Sequence, residues 1–346
     1  MWGKQSGRPE DEKPSPVGRG CHAAGVFVSR SGTGEGSVTR GVRKATQTAV
    51  ATRHETGRMK GRKKAMLSTG NRKSPIVNLL LACLIASSPL GAASLYDQSV
   101  SRLLRERYTS GDLSYILVDA ATRCPIASRW DAIAEPVPVG SLVKPFLALA
   151  YGQTHDFRYP TYFCRGAQDG CWLPRGHGRV DISSAIAYSC NAYFKNVAST
   201  LEPEDLESMA QRHGFSIGRA PSGEAEMTGL GGAWRIGPLE LLRAYILLAA
   251  APRAAGAAEL LRGMALSAKI GTAQGVSLNL NGVAALAKTG TAPCVHHPRA
   301  PGDGYVLMLY PADQPRLALL VRVHSVPGAQ AARLGGRMLS SVISLN

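Results

Sequence analysis

Ser141 and Lys144 stand three residues apart in Ser141-Leu142-Val143-Lys144-Pro145-Phe146, a spacing that puts both side chains on one face if a helix begins near Gly140. A serine hydroxyl is a weak nucleophile at its own pKa. A buried lysine that has lost its proton can accept the hydroxyl proton as the oxygen attacks an acyl carbon. Backbone N–H groups at the helix start would then face a developing oxyanion. Alone, the pair reads equally well as a serine N-cap followed by a solvated lysine, although it is the sole S-x-x-K in the chain.

Two further groups can complete that chemistry. Ser189-Cys190-Asn191 lies 48 residues after Ser141; S-x-N recurs at Ser277 and Ser344, but only Ser189 falls within a helical stretch. Lys288-Thr289-Gly290-Thr291-Ala292 follows 99 residues later at the end of an apolar strand. A lysine with flanking hydroxyls can cradle a carboxylate, and Gly290 lets a ligand backbone come close. Its plainer reading is a strand running into a glycine turn. The three groups in this order, each on a suitable element, form a specific signal.

The elements that must position these residues are legible in outline. Ser114–Ala120 and Pro125–Trp130 read as two antiparallel strands at hairpin distance. A helical middle follows, with apolar residues at 3 and 4 spacing over Asp181–Leu201 and Leu239–Ala251. Val283–Ala287, Gly304–Tyr310 and Arg316–Val323 read as three more strands, with a turn at Pro311-Ala312-Asp313, and Ala329–Val342 as a closing helix. The expected fold is α/β (α+β): a five-stranded antiparallel sheet flanked by helices, with a helical insert between the second and third strands.

From about Ser114 onward the chain resembles the transpeptidase domain of penicillin-binding proteins, in the β-lactamase/transpeptidase-like superfamily of serine acyltransferases. Besides the three motifs, the resemblance rests on Lys144-Pro145-Phe146, Cys190, Thr291-Ala292, Gly176-His177-Gly178, Ile236-Gly237-Pro238 and Pro311-Ala312-Asp313 to Pro315-Arg316. These favour the high-molecular-mass transpeptidases over β-lactamases. There are two departures: Val139 stands where a proline usually precedes the glycine before the nucleophile, and Ala287 where a glycine precedes the K-T-G lysine.

The resemblance implies a D-Ala-D-Ala transpeptidase that acts on peptidoglycan stem peptides and is acylated by β-lactams, with no cofactor. It assigns Ser141 as nucleophile, Lys144 as base and Ser189 as proton relay. Asn191 would hold the substrate amide, Lys288, Thr289 and Thr291 the terminal carboxylate beside Gly290, and the Ser141 and Thr291 amides the oxyanion. The alternatives are a D,D-carboxypeptidase, a β-lactamase-type hydrolase, or a scaffold that retains the fold without catalysis. A class A β-lactamase would need an E-x-x-L-N loop, and no such string stands between Asn191 and Lys288.

Composition bounds the remainder. The 346-residue chain is 45% hydrophobic with a formal net charge of +16. Residues 1–65 hold 14 Lys or Arg against 5 Asp or Glu, so +9 of that charge lies there. That stretch lacks apolar periodicity and reads as a disordered basic extension, or as sequence upstream of the true start at Met66. It also lacks the aromatics of a nucleic-acid tail.

Residues 66–93 read as a signal peptide cleaved after Ala93. Arg72 and Lys73 precede the 11-residue run Ile76–Ala86, too short to span a bilayer, which takes about 20 residues. Lipidation at Cys83 is the lesser alternative. The protein is therefore expected in the periplasm or on the outer face of the cytoplasmic membrane, touching the membrane only through these signals. Residues 94–346 have room for the transpeptidase-like domain alone, so glycan strands would come from a separate glycosyltransferase or other cell-wall protein.

Export permits disulfides, and Cys164 with Cys171, close together in a Gly- and Pro-containing loop, could form one locally. Zinc could recruit His177, or Cys294 with His296 and His297, but neither spacing matches the usual ligand patterns. No metal is expected, and Cys190 reads as a small packed residue.

Overall fold

The computed structural model describes residues 94–294 and 301–345. The chain divides into two units, Met1–Leu90 and Gly91–Asn346, and the described residues all belong to the second. The basic extension and signal peptide expected over 1–93 lie outside the described residues, as do His296 and His297.

In chain order the strands are β1 (Leu113–Asp119), β2 (Pro125–Arg129), β3 (Val137–Pro138), β4 (Tyr162–Cys164), β5 (Gly178–Val180), β6 (Arg235–Ile236), β7 (Leu286–Ala292), β8 (Asp303–Tyr310) and β9 (Leu317–Val323). The helices are α1 (Leu95–Arg107), α2 (Lys144–Thr154), α3 (Ile182–Ala187), α4 (Asn191–Ala198), α5 (Pro203–Arg212), α6 (Gly223–Met227), α7 (Pro238–Ala250), α8 (Ala257–Lys269), α9 (Gln274–Ser277) and α10 (Gly328–Ile343). A five-stranded antiparallel sheet in the order β2-β1-β9-β8-β7 forms the spine. Two-stranded pairs β3–β6 and β4–β5 lie within the insert.

The three central strands β1, β9 and β8 are apolar on both faces because both faces are covered. From β1, Ile116 and Val118 join the core that holds Phe146 of α2 and Tyr245 of α7. Tyr115 and Leu117 join the opposite core with Val100 and Leu104 of α1 and Met338 and Leu339 of α10. The result is three layers: α1 and α10, the sheet, and the helical insert.

The expected two strands, insert, three strands and closing helix are all present. Two local expectations change. Lys288–Ala292 lies inside β7 rather than after it, while Val283 is exposed before the strand. Asp181–Leu201 is not one helix, because the chain turns between α3 and α4 at Ser189, where φ is +52°.

Candidate active site

Ser141 sits in a single 3-10 turn, Gly140–Val143, that runs straight into α2. Pro145 is the second residue of α2, in the first turn, where a missing N–H is tolerated. The buried Leu142 and Val143 anchor the turn in the core, while Ser141 keeps partial exposure. From α7, the Tyr245 hydroxyl donates to the Leu142 carbonyl at 2.6 Å. Gly140 has φ +56°, and a Cβ there would collide with the Thr291 carbonyl and come within 3.1 Å of the Thr291 nitrogen. Here only glycine permits the turn to lie against β7.

β7 is an edge strand, and its alternation divides the K-T-G-T run between two faces. Lys288 points toward the insert, where its Nζ donates to Ser189 Oγ at 3.0 Å and to the Thr289 carbonyl at 2.8 Å. Thr289 and Thr291 point the other way. Thr289 Oγ1 is 2.6 Å from Thr272 Oγ1, and Thr291 Oγ1 accepts from the Gly328 N–H at 3.1 Å. Gly290 lies under the Ser141 turn, where an added Cβ would be 2.7 Å from the Val139 carbonyl.

Lys144 is fully buried and donates to the Ser189 carbonyl at 2.8 Å, Ser189 Oγ at 3.2 Å and Asn191 Oδ1 at 2.6 Å, with its Nζ 5.4 Å from the centre of the Phe194 ring. The expected contact of Lys144 with Ser141 is absent among the described hydrogen bonds, and the amine is directed instead at the Ser189 corner. Loss of hydration pushes Lys144 down to about 7, partly opposed by the neighbouring Cys190 and Cys171 sulfurs. At pH 7.4 a lysine of ordinary pKa would be about 0.1% free base, whereas one near 7 is more than half free base. Burial, and then the charge of Lys144, also lower Lys288 well below the usual lysine range. Ser189 Oγ thus lies between two amines from separate elements, an arrangement able to pass a proton across the site.

The local disulfide is corrected. Cys164 and Cys171 are both free thiols. The His177 imidazole stands against both sulfurs, its Nδ1 3.6 Å from Cys164 and 3.5 Å from Cys171, while Cys171 faces Cys190 at 3.9 Å. Cys190 is therefore part of a sulfur cluster as well as a packed residue. Tyr245, Thr272, Phe194 and Gly328 had no signal in the sequence, since each supports the site from a distant segment.

A serine on a tight turn, a buried amine depressed toward neutrality and a bridging hydroxyl form a site suited to acyl transfer. The chain belongs to the penicillin-binding protein transpeptidase family, whose transpeptidase domain it matches over residues 107–340. No curated protein matches its sequence. Among solved structures, it resembles penicillin-binding protein 2 of Pseudomonas aeruginosa, determined in complex with WCK 5153, at 18% identity and a TM-score of 0.58, covering 71% of this chain and 74% of that one. The D,D-transpeptidase domain of a peptidoglycan glycosyltransferase from Eggerthella lenta aligns at 14% identity and a TM-score of 0.56, covering 72% and 82%. Penicillin-binding protein 2 of Helicobacter pylori, in a complex with MreC, aligns at 16% identity and a TM-score of 0.59, covering 72% and 63%. At these identities the likeness concerns the fold.

Proposed function

We propose that the protein is an exported D,D-transpeptidase that cross-links peptidoglycan stem peptides through an acyl-Ser141 intermediate and is acylated by β-lactams at the same residue. The observation that carries the reading is the Ser189 hydroxyl held between Lys144 and Lys288, both fully buried.

In the first step, neutral Lys144, whose contact with Ser141 tightens only once substrate is bound, takes the Ser141 proton as Oγ bonds to the penultimate D-alanine carbonyl. The negative oxygen of the tetrahedral adduct is met by the Ser141 and Thr291 N–H groups, whose backbones abut at Gly140. As the C–N bond breaks, the proton passes through Ser189 to the departing D-alanine amine. Asn191 holds the substrate amide, and the free edge of β7, with Lys288 on one face and Thr289 and Thr291 on the other, orients the terminal carboxylate. An acceptor amine then attacks the ester; as the C–Oγ bond breaks, the amine's proton passes through the lysine pair to Ser141 Oγ, which regenerates the hydroxyl and neutral Lys144. The acceptor would lie on glycan strands supplied by a separate cell-wall protein.

The test is incubation with a fluorescent penicillin, denaturation and gel imaging, with Ser141→Ala alongside. A persistent labelled band that the variant loses is expected. A band retained by Ser141→Ala would assign the nucleophile elsewhere, and penicillin consumed without a band would indicate a hydrolase.

A further inference from the structure

Four side chains that the acyl-transfer chemistry does not use converge beside it. Cys164 ends β4, Cys171 and His177 lie in the connection to β5, and Cys190 caps α4. All three sulfurs are buried, and the three Sγ atoms and one histidine nitrogen lie within 4.8 Å of one another.

The spacings separate two ways of using such a cluster. A disulfide needs sulfurs about 2.05 Å apart, and Cys171 and Cys190 are 3.9 Å apart. Around a tetrahedral zinc ion, with Zn–S near 2.3 Å and Zn–N near 2.0–2.1 Å, sulfur–sulfur edges are about 3.8 Å and sulfur–nitrogen edges about 3.6 Å. The measured edges are 3.9 Å between Cys171 and Cys190, 3.6 Å from Cys164 to His177 Nδ1, and 3.5 Å from Cys171 to His177 Nδ1.

The loop is wound to this end. Gly166 and Gly176, both at positive φ, pack backbone against backbone so closely that a Cβ on either would strike the other's strand of the loop. This folds Cys164 back toward His177. The imidazole is fixed edge-on by Trp172 and stacked by Tyr188, leaving Nδ1 as the atom that faces the sulfurs.

We propose that Cys164, Cys171, His177 and Cys190 form a structural zinc site. Three thiolates and one imidazole are a soft donor set that favours zinc over oxygen-seeking cations, and four protein ligands leave no open position for catalysis. The ion's role is mechanical. Cys190 lies between Ser189 and Asn191, so the metal pins that corner to the β4–β5 loop and holds both residues against Lys144. The sequence could not show this, because the fourth ligand lies 13 residues beyond the histidine, on another element.

The test is metal analysis of the full chain purified under reducing conditions, before and after incubation with zinc, together with Cys164→Ser, Cys190→Ser and Cys294→Ser. One zinc per chain is expected, retained by Cys294→Ser and lost or greatly weakened in the other two. In the wild-type chain, cobalt substitution should give tetrahedral d–d bands and strong thiolate-to-metal charge transfer, a readout that survives misfolding of any variant. The proposal is overturned by absence of zinc in the reconstituted chain, by a Cys171–Cys190 disulfide in the purified protein, or by metal that persists in Cys190→Ser and leaves in Cys294→Ser. The last result would place it at Cys294, Asp303 and His324, which also converge. Metal content is read without a β-lactam, so failure here leaves the acyl-serine reading standing. That reading enters only in the positioning of Ser189 and Asn191.

Discussion

Lys144 and Ser189 are joined at two points, the lysine Nζ donating to the serine carbonyl at 2.8 Å and to its hydroxyl at 3.2 Å. Both contacts require the chain to break helix at Ser189, whose φ of +52° lies in the left-handed region. A non-glycine residue there costs on the order of 1–2 kcal/mol, so stability is given up for the placement of one hydroxyl and one carbonyl.

Ser189→Gly and Ser189→Ala should therefore part company. Both remove the hydroxyl and should slow acylation by a chemically unactivated acyl donor by about 10²- to 10⁴-fold, the usual range for lost proton transfer. Glycine accepts the backbone conformation, and Ser189→Gly should be about 1 kcal/mol more stable than Ser189→Ala in urea denaturation. Equal stability would mean that the positive φ is not strained.

The pH dependence follows from Lys144. Its lowered pKa means that the neutral, proton-accepting form dominates above about 7. The second-order acylation rate should rise with pH, level off above about 7 and fall roughly tenfold per unit well below it. The same displacement affects stability. Between about 7 and the unfolded value near 10.5 the folded state holds fewer protons than the unfolded one, so this residue's contribution grows with pH across that window and is lost as pH falls through about 7. Acylation followed from pH 5 to 9 checks the first effect; a flat profile would remove Lys144 as base.

Gly140→Ala should be among the most damaging single-methyl additions in the chain. The added Cβ meets the Thr291 carbonyl at a positive φ, so either β7 or the Ser141 turn must move. Destabilisation above about 2 kcal/mol and loss of acylation of at least about 100-fold are expected together, read by denaturant titration and penicillin labelling. A well-folded, fully acylating variant would show that the close approach of Gly140 to Thr291 is dispensable.

How much of this was legible in the sequence depended on whether the signal was local. β1, β8 and β9 stood out because a strand buried on both faces is a continuous apolar run, and α7 and α10 because their apolar period is unbroken. α1 has no such unbroken apolar run, although Ser94 and Asp97 form a capping box at its start. Ser189 was found as a motif but not as a corner, because the helical period of Asp181–Leu201 runs across the break. The order of Ser141, Ser189 and Lys288 points to one candidate site, yet the contacts that hold it together, Lys144 with Asn191 and Lys288 with Ser189, span 47 and 99 residues. The cysteines show the same limit: proximity along the chain suggests Cys164 with Cys171, whereas the fold adds His177 and Cys190.

Tyr245 separates support of the Ser141 turn from chemistry within it. Its ring packs edge-on against Phe146 with centroids 5.1 Å apart, and burial keeps its hydroxyl a phenol that donates to the Leu142 carbonyl at 2.6 Å. Tyr245→Phe keeps the ring and leaves one buried carbonyl without that donor, at a cost of about 1–3 kcal/mol. For a domain of this size that corresponds to a fall in Tm of roughly 2–4 °C per kcal/mol. The register of Ser141 against β7 is set by Gly140 and Gly290, which the substitution leaves alone. Acylation measured well below the new Tm should therefore stay within about threefold of the parent. A loss as deep as that of Ser189→Ala would instead show that the Tyr245 hydrogen bond sets the nucleophile's position.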